Sequence, residues 1–115
     1  MPRRRSPRAR SRLEGCAPVF TALGDATRLG LVSRLCRDGP LSITKLTAGS
    51  EVTRQAITKH LRMMEEAGLV RGARRGRESV WQLQQQPFDD ARRHLESISK
   101  QWDAALGRLR RFVEE

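Results

Sequence analysis

The sequence predicts a mainly α-helical fold that carries a small β-hairpin and ends in a long C-terminal helix. Apolar residues recur at helical spacing from Ala17 to about Ala67. Two short apolar runs then flank the Arg-rich, glycine-containing segment 74–77, which is typical of a hairpin tip. Between residues 88 and 112, apolar residues alternate at spacings of three and four, the pattern of a helix that packs along a second helix.

The formal net charge of +10 at pH 7 is concentrated in two parts of the 115-residue chain. Residues 1–12 carry six Arg and no acidic residue, a local charge of +6. Residues 53–80 carry seven Lys or Arg against three Glu, a local charge of +4, whereas residues 87–115 carry six basic and six acidic side chains. Charge that only solubilises the protein would be spread more evenly, so this distribution favours a polyanionic partner.

The chain is long enough for one domain. We expect a disordered Arg-rich arm at residues 1–12, a folded domain at residues 13–86, and the C-terminal helix of that domain at residues 87–115. No apolar run approaches the roughly 20 residues that a membrane span needs, and the N-terminus lacks the apolar core of a signal peptide. These features predict a cytoplasmic protein with no membrane partner.

The first two helices are separated by a capping residue. A short first helix is predicted by the apolar residues Val19, Phe20 and Leu23. Asp25 is a suitable N-cap for a second helix that runs to about Arg37, where the sequence Asp38-Gly39-Pro40 ends it.

Residues 42–67 predict a short helix, a tight turn and a longer helix. Ser42 caps the short helix, whose apolar residues are Ile43 and Leu46. Thr53 caps the longer helix, which runs to about Ala67. Gly68 supplies the residue beyond its end, and Val52 and Ile57 are spaced as a hydrophobic staple.

A hairpin and a long helix complete the pattern. The strand-like runs Leu69-Val70 and Val80–Leu83 flank Gly76, which can adopt the positive φ of a hairpin tip. Pro87 is expected to start the last helix, with Asp89 and Asp90 in its first turn. A helix-turn-helix followed by a basic hairpin predicts a winged helix-turn-helix.

The longer helix has two chemically distinct faces. Its apolar face consists of Ile57, Leu61 and Met64 at helical spacing. The opposite face carries Arg54, Gln55, Thr58, Lys59 and Arg62. Such side chains are the ones that read base edges when a helix lies in the major groove of DNA. The alternative is an ordinary solvated face, which the preceding turn and the following basic hairpin disfavour.

The hairpin tip carries Arg74, Arg75 and Arg77, which suits contact with the phosphate backbone or the minor groove. The alternative is a charged solvent loop.

His60 either contacts phosphate or fills the flank of the helix, and the sequence does not distinguish between these two roles. Cys16 and Cys36 are too few for a disulfide scaffold, and a redox role for them stays open beside that of simple apolar residues.

The chain resembles the ArsR family of bacterial winged-helix repressors. The segment VTRQAITKHLRMMEEAGLV, followed by RRGRESVWQL, resembles the recognition helix and wing of that family, and FTALGDATRLGLVSRL resembles its opening. The resemblance covers about residues 18–112. It implies a homodimer that binds an operator in double-stranded DNA and represses transcription. The DNA contacts it implies, with those expected from charge, are Thr53, Arg54, Gln55, Thr58, Lys59, His60, Arg62 and the wing residues Arg74, Arg75 and Arg77.

The chain departs from the metal-sensing members of that family. The stretch LSITKLTAG before the recognition helix has no Cys, His or Asp, where metal sensors carry a Cys pair. The last helix offers Asp89, Asp90, His94 and Asp103, which fall short of a convincing ligand set. The resemblance is therefore to the non-metal-sensing type, and we expect neither a metal site nor a cofactor.

The apolar positions of the last helix predict a dimer seam. A heptad pattern is formed by Phe88, Ala91, Leu95, Ile98, Trp102, Ala105, Leu109 and Phe112. The alternative is packing onto the core of the same chain, and both arrangements can hold in part. A two-fold dimer would place two recognition helices roughly 34–36 Å apart on a near-palindromic site.

Together these features predict a sequence-specific DNA-binding transcriptional regulator that acts as a dimeric repressor. The alternative is a non-sequence-specific nucleic-acid or nucleoid-associated protein that binds through its Arg-rich arm. An enzyme is disfavoured, because the sequence has no Ser/His/Asp set, phosphate loop, catalytic carboxylate pair or metal cluster. The sequence identifies no effector.

Overall fold

The computed structural model describes the backbone of residues 7–114 and the side chains of residues 15–114. It is mainly helical with one small antiparallel sheet. The elements, in chain order, are α1 (Pro7–Leu23), α2 (Ala26–Asp38), β1 (Leu41–Ser42), α3 (Ile43–Thr47), α4 (Arg54–Glu66), β2 (Val70–Arg75), β3 (Glu78–Leu83) and α5 (Gln85–Glu114). This is the winged helix-turn-helix with a C-terminal helix that the sequence predicts.

Helix α1 is longer than predicted. The sequence indicates a short helix around Val19, whereas α1 begins at Pro7, inside the segment 1–12 expected to be a disordered arm. The rest of that arm, residues 1–6, lies outside the described residues. The apolar pattern could not locate this start, because residues 7–12 have no apolar periodicity.

The three N-caps predicted from the sequence are confirmed. Asp25, Ser42 and Thr53 each have an extended backbone, and each side chain accepts a hydrogen bond from the amide three residues later. The distances to the amide nitrogens of Arg28, Lys45 and Ala56 are 3.0, 3.2 and 3.1 Å. These bonds satisfy amides that a helix start leaves unpaired, so they fix where α2, α3 and α4 begin.

The end of α4 also follows the prediction. Gly68 has a φ of 79°, which favours glycine, and its N–H donates to the carbonyl of Glu65. The N–H of Leu69 donates to the carbonyl of Met64, which completes a Schellman motif. Leu69 and Met64 are both buried, so the chain leaves α4 directly into the core and then enters β2.

The sheet has three strands in the order β1-β3-β2, all antiparallel. The sequence indicates only the hairpin of β2 and β3, because β1 is two residues long and too short to show a strand pattern. In the hairpin, Arg75 pairs with Glu78, so Gly76 and Arg77 form the two-residue turn. Gly76 has a φ of 63°, as predicted for a tight hairpin tip.

Helix α5 starts at Gln85 and not at Pro87 as predicted. Pro87 lies in the first turn, where its missing N–H breaks no helical hydrogen bond. The prediction that Asp89 and Asp90 lie in the first turn is wrong, since the first turn contains no acidic residue.

The core is formed by residues from every helix and strand. Its largest fully buried side chains are Val19, Ile57, Leu61, Met64, Leu69 and Val70. Trp81 on β3 is buried and lies directly over Gly72 of β2, its partner across the strands. A Cβ atom at position 72 would lie 2.9 Å from Cζ3 of the Trp81 ring, so this position has room only for glycine.

Replacing Gly72 by alanine is expected to destabilise the protein by about 1–3 kcal/mol, because the Trp81 ring must move to admit the new methyl group. The matched control is Gly30→Ala in α2, where an added Cβ meets nothing within 4 Å. That change should stabilise by roughly 0.5–1 kcal/mol. Urea unfolding at one fixed protein concentration measures both changes. A Gly72→Ala variant as stable as the parent would contradict the close contact.

The capping role of Asp25 should give the protein a defined pH dependence. The hydrogen bond from the Arg28 amide, aided by the charges of Arg28 and His60, lowers the pKa of the Asp25 carboxyl. The unfolded chain therefore binds a proton at higher pH than the folded chain does, so stability falls as pH drops through this range. The contribution is complete above the ordinary Asp pKa of about 3.9 and is lost below the folded value.

We expect the stability difference between the parent and Asp25→Asn to be positive and nearly constant from pH 6 down to about pH 5, and then to shrink toward pH 2 as Asp25 is protonated. Asparagine also caps helices well, so the comparison isolates the charge of Asp25 from the cap itself. Chemical denaturation at a series of pH values gives this difference directly. A difference that stays constant with pH would show that the Asp25 charge does not stabilise the fold.

Candidate nucleic-acid interface

Helix α4 presents its polar face to solvent because its apolar face is fully buried. Ile57, Leu61 and Met64 are 2%, 0% and 1% exposed. The residues predicted on the opposite face share one shallow surface depression, which is bordered by Arg54, Gln55, Thr58, Lys59 and Arg62, with Met63 and Glu66. The structure therefore brings together the five polar residues that the sequence assigns to that face.

Two threonines of this region have their hydroxyl groups engaged within the protein. Thr53 was predicted both as the N-cap and as a DNA contact, and its oxygen caps α4. The Thr58 hydroxyl donates to the Arg54 carbonyl over 2.8 Å. Of the predicted face, Arg54, Gln55, Lys59 and Arg62 are exposed, whereas Thr58 is half-buried. Long exposed side chains at the start and middle of α4 are therefore the main groups available to a ligand.

His60 lies on the flank of α4 that faces α2. Its Nδ1 atom is 3.3 Å from Nη1 of Arg28, and the ring is half-buried. A guanidinium always donates, so Nδ1 is the acceptor in this contact. His60 therefore packs against the flank of its own chain through part of its ring, and contact of the remaining part with phosphate stays a prediction.

Arg28, which is not among the predicted site residues, contacts both α1 and α4. Its guanidinium donates to the carbonyls of Ala22 and Thr21 at the end of α1, at 3.2 and 3.4 Å. It also reaches His60 and the sulfur of Met63 on α4. One side chain thus connects the end of α1 to the recognition helix. In the sequence, Arg28 follows the capping Asp25 by three residues, within the segment FTALGDATRLGLVSRL that carries the family resemblance.

A second missed contact fixes the wing relative to α4. Oε2 of Glu65 accepts a hydrogen bond of 3.0 Å from the backbone N–H of Gly72 on β2. Nothing in the local sequence pairs these residues, because the bond depends on how the hairpin folds back. It holds the hairpin at the C-terminal half of α4, so the wing and recognition helix form one surface.

The wing arginines are distributed differently from the prediction. Arg74 and Arg75 were expected at the hairpin tip, but they lie on β2, opposite Ser79 and Glu78. Arg77 alone of the three lies in the turn, and all three are exposed. Arg74 and Arg62 border the same cleft of about 330 Å³ between the wing and α4. The longer strands therefore bring a wing arginine beside the recognition helix.

The positive charge of this surface is not neutralised by neighbouring carboxylates. Among the described side chains, Arg37–Asp38 and Arg93–Asp90 are the ion pairs within 4.0 Å, and neither lies on α4 or the wing. The arginines and lysine of α4 and the wing are thus available to an external anion.

The cysteines and acidic residues of the described chain do not form a recognisable site. Cys16 is buried and Cys36 is exposed, and both are free thiols. Burial, together with the nearby Asp90 carboxylate, raises the pKa of the Cys16 thiol and so lowers its reactivity. Within residues 15–114, no three His, Cys, Asp or Glu side chains cluster as metal ligands do. No helix in that part of the chain is long and apolar enough to cross a membrane.

The predicted seam of α5 divides into two parts. Ala91 is 4% exposed and Phe88 is half-buried, and both pack against the core of their own chain. The rest of the seam is exposed, with Trp102 at 63% and Phe112 at 77%. The exposed part comprises Leu95, Ile98, Trp102, Ala105, Leu109 and Phe112, joined by Leu106 and Val113. This is a continuous apolar strip that the single chain leaves uncovered.

The chain is similar to known helix-turn-helix proteins. A family model described as a helix-turn-helix domain matches residues 23–73. The uncharacterized HTH-type transcriptional regulator YuzN of Bacillus subtilis is 34% identical over 90 residues, which cover 73% of this chain and 90% of that protein.

Two solved structures share the fold. An ArsR-like transcriptional regulator from Rhodococcus sp. RHA1 is 33% identical, with a TM-score of 0.68 over 87% of this chain and 93% of that one. The homodimeric winged helix-turn-helix DNA-binding domain of Mb0332 from Mycobacterium bovis, solved by NMR, is 20% identical. Its TM-score is 0.61 over 89% of this chain and 91% of that one, which shows the fold alone.

Proposed function

This chain belongs to the ArsR-like family of helix-turn-helix transcriptional regulators, and we propose that it is a dimeric repressor of a near-palindromic operator. As a member of that family it is a regulator of transcription and not an enzyme. The observation that carries the proposal is the outward face of α4, whose exposed polar residues continue into the Arg74 side of the wing.

We propose that α4 lies in the major groove and reads bases with its exposed long side chains. Arginine and lysine match the acceptors of guanine, and glutamine matches the donor and acceptor of adenine. Gln55 is the neutral hydrogen-bonding residue of the exposed set, so it is the best candidate for discriminating between bases. Arg54, Lys59 and Arg62 can also contact phosphate, which gives affinity without sequence preference. The half-buried His60 has a supporting role through Arg28.

The wing is proposed to contact the DNA backbone. Arg75 and Arg77 lie at its end, and Arg74 lies nearer to α4. Such contacts determine the register of the protein on the duplex, and they contribute less to its preference for particular base sequences. The segment 1–12, of which residues 7–12 belong to α1, would add a further sequence-independent attraction through its six Arg.

We propose that two copies pair through the exposed strip of α5. Large apolar side chains repeat along most of this helix and remain uncovered in one chain, and the neighbour Mb0332 is a homodimeric domain. Pairing would place two copies of α4 on successive major grooves, which accounts for a near-palindromic site.

We also propose that release from DNA does not depend on the metal sites of the family. The segment 41–49 has no Cys, His or Asp before α4. On α5, Asp89, Asp90, His94 and Asp103 do not form a cluster of three or more metal-ligating side chains within the described chain. The proposed setting is the cytoplasm, where the chain meets chromosomal DNA.

Sequence-specific binding is tested by competition between fragments of genomic DNA selected by the protein and random DNA of the same length. We expect selected DNA to bind at least ~10³-fold more tightly. An advantage below about tenfold would favour the alternative of a non-specific nucleic-acid protein that binds through its basic arm.

Gln55→Ala should relax the base preference at one position of each half-site, at a cost of ~1–3 kcal/mol for the preferred base pair. The matched control is Gln85→Ala, an exposed glutamine of α5 that belongs to neither α4 nor the wing, and this change should leave the preference unchanged. Binding to a library of single-base operator variants shows the change. Identical preferences for the parent and Gln55→Ala would remove Gln55 as a base reader.

Ile98→Glu should convert the dimer to monomers, because it places a charge within the apolar strip. Ser97→Glu is the matched control, because this substitution adds the same charge on the side of α5 that faces away from the apolar strip. Sedimentation velocity measures the mass of each variant, and DNA binding should weaken only for Ile98→Glu. A dimer that persists in Ile98→Glu would place the interface elsewhere.

A further inference from the structure

A second cavity lies between α1, the start of α2 and the end of α4, and Met63 is the residue that it shares with the depression on the polar face of α4. Its volume is about 340 Å³, at the lower end of the range for small-molecule sites. Small residues leave this space open, because Ala17, Pro18 and Ala22 form its α1 wall. Met63 and Met64 form the opposite wall, and Arg28 lies at its edge. Ala17 and Pro18 are exposed, so a molecule can enter from solvent.

The lining is apolar except for Thr21 and one cation, Arg28. Arg28 is half-buried, and among the described side chains no carboxylate lies within 4.0 Å of its guanidinium. Asp25 binds the backbone N–H of Arg28 through Oδ2 and forms no ion pair with its side chain. The carbonyls of Thr21 and Ala22 satisfy some of the guanidinium donors but carry no full negative charge. An anionic group at the cavity edge would complete this arrangement.

The cavity is connected to the recognition helix through residues already described. Met63 and Met64 belong to α4, and Arg28 reaches both His60 and Met63. Methionine side chains repack readily, so the wall can adjust to a guest. A molecule that pulls the Arg28 guanidinium toward itself would weaken the bond to His60 and alter the position of α4.

We propose that this cavity binds a small amphipathic carboxylate, such as a medium-chain fatty acid, and that its occupation weakens DNA binding. The apolar lining would hold the chain, and Arg28 would hold the carboxylate. The regulatory part of this inference rests on the proposed function, whereas the binding part does not.

The binding part is tested on the full-length protein without DNA. Octanoate should bind saturably by isothermal titration calorimetry, and 1-octanol, which has the same chain length without the charge, should bind about tenfold or more weakly. Equal affinity for the two probes would overturn the role of Arg28. A lack of saturable octanoate binding would overturn the site.

Ala17→Phe should abolish octanoate binding by filling the cavity, while Ala104→Phe, on the outer side of α5, should not. Both variants keep Arg28 and its hydrogen bonds, and thermal melts verify that each folds. Undiminished binding to Ala17→Phe would place the octanoate elsewhere. The monomeric variant Ile98→Glu tests whether a second copy of the chain covers the cavity. If octanoate binds to Ile98→Glu but not to the parent, a partner chain occupies the cavity in the dimer, and the proposed ligand site is overturned.

The regulatory part is measured by DNA binding with and without saturating octanoate. We expect octanoate to weaken binding by about 5-fold or more in the parent and in Ala104→Phe, but not in Ala17→Phe. Octanoate binding without any change in DNA affinity would overturn the effector role alone. Failure of the parent to bind DNA in the absence of octanoate would count against the proposed function and leave the octanoate titration unaffected.

Discussion

Burial of the apolar face of α4 is the constraint on which the rest of the structure depends. Ile57, Leu61 and Met64 have almost no exposed surface, so α4 cannot rotate without exposing them. Because a helix has fixed periodicity, burying one face directs Arg54, Gln55 and the other polar residues outward together. The hydrophobic core thus determines which side chains α4 presents to solvent, where the proposed DNA partner would bind. The Glu65–Gly72 hydrogen bond then extends this control to the wing, whose position follows from that of α4.

Local signals were sufficient to predict most of the fold. Capping residues such as Asp25 and Thr53 act within one helical turn, and Gly68 and Gly76 adopt the positive φ that their turns require, so the sequence alone locates these boundaries. Boundaries without such signals were misplaced. Helix α1 extends back to Pro7 through residues that lack apolar periodicity, and β1 exists only because β3 pairs with it.

The part of the candidate site that lies on the single helix α4 could be predicted from the sequence. The outward face of α4 follows from spacing alone, because that spacing puts its polar residues on the side opposite Ile57, Leu61 and Met64. Contacts between elements were missed, because they depend on tertiary geometry. The Arg28–His60 contact joins residues far apart in the chain, and the close approach of Gly72 to Trp81 depends on strand register. These contacts determine the position of α4 within the fold, whereas the spacing of its apolar residues determines only which side chains face outward.

Helix α5 is buried near its start and exposed along the rest of its length, so one helix can serve both the fold of the chain and the proposed pairing of two copies. Near its start, Phe88 and Ala91 complete the core that supports α4, so this part of the helix is needed by the single chain. From Leu95 onward the same apolar pattern continues past the core, and its large side chains remain at least half exposed in the described chain. One unbroken helix therefore links the core of one subunit to the proposed interface with the next. Because α5 is continuous, the spacing between the two recognition helices would be set by its rigidity and not by a flexible linker.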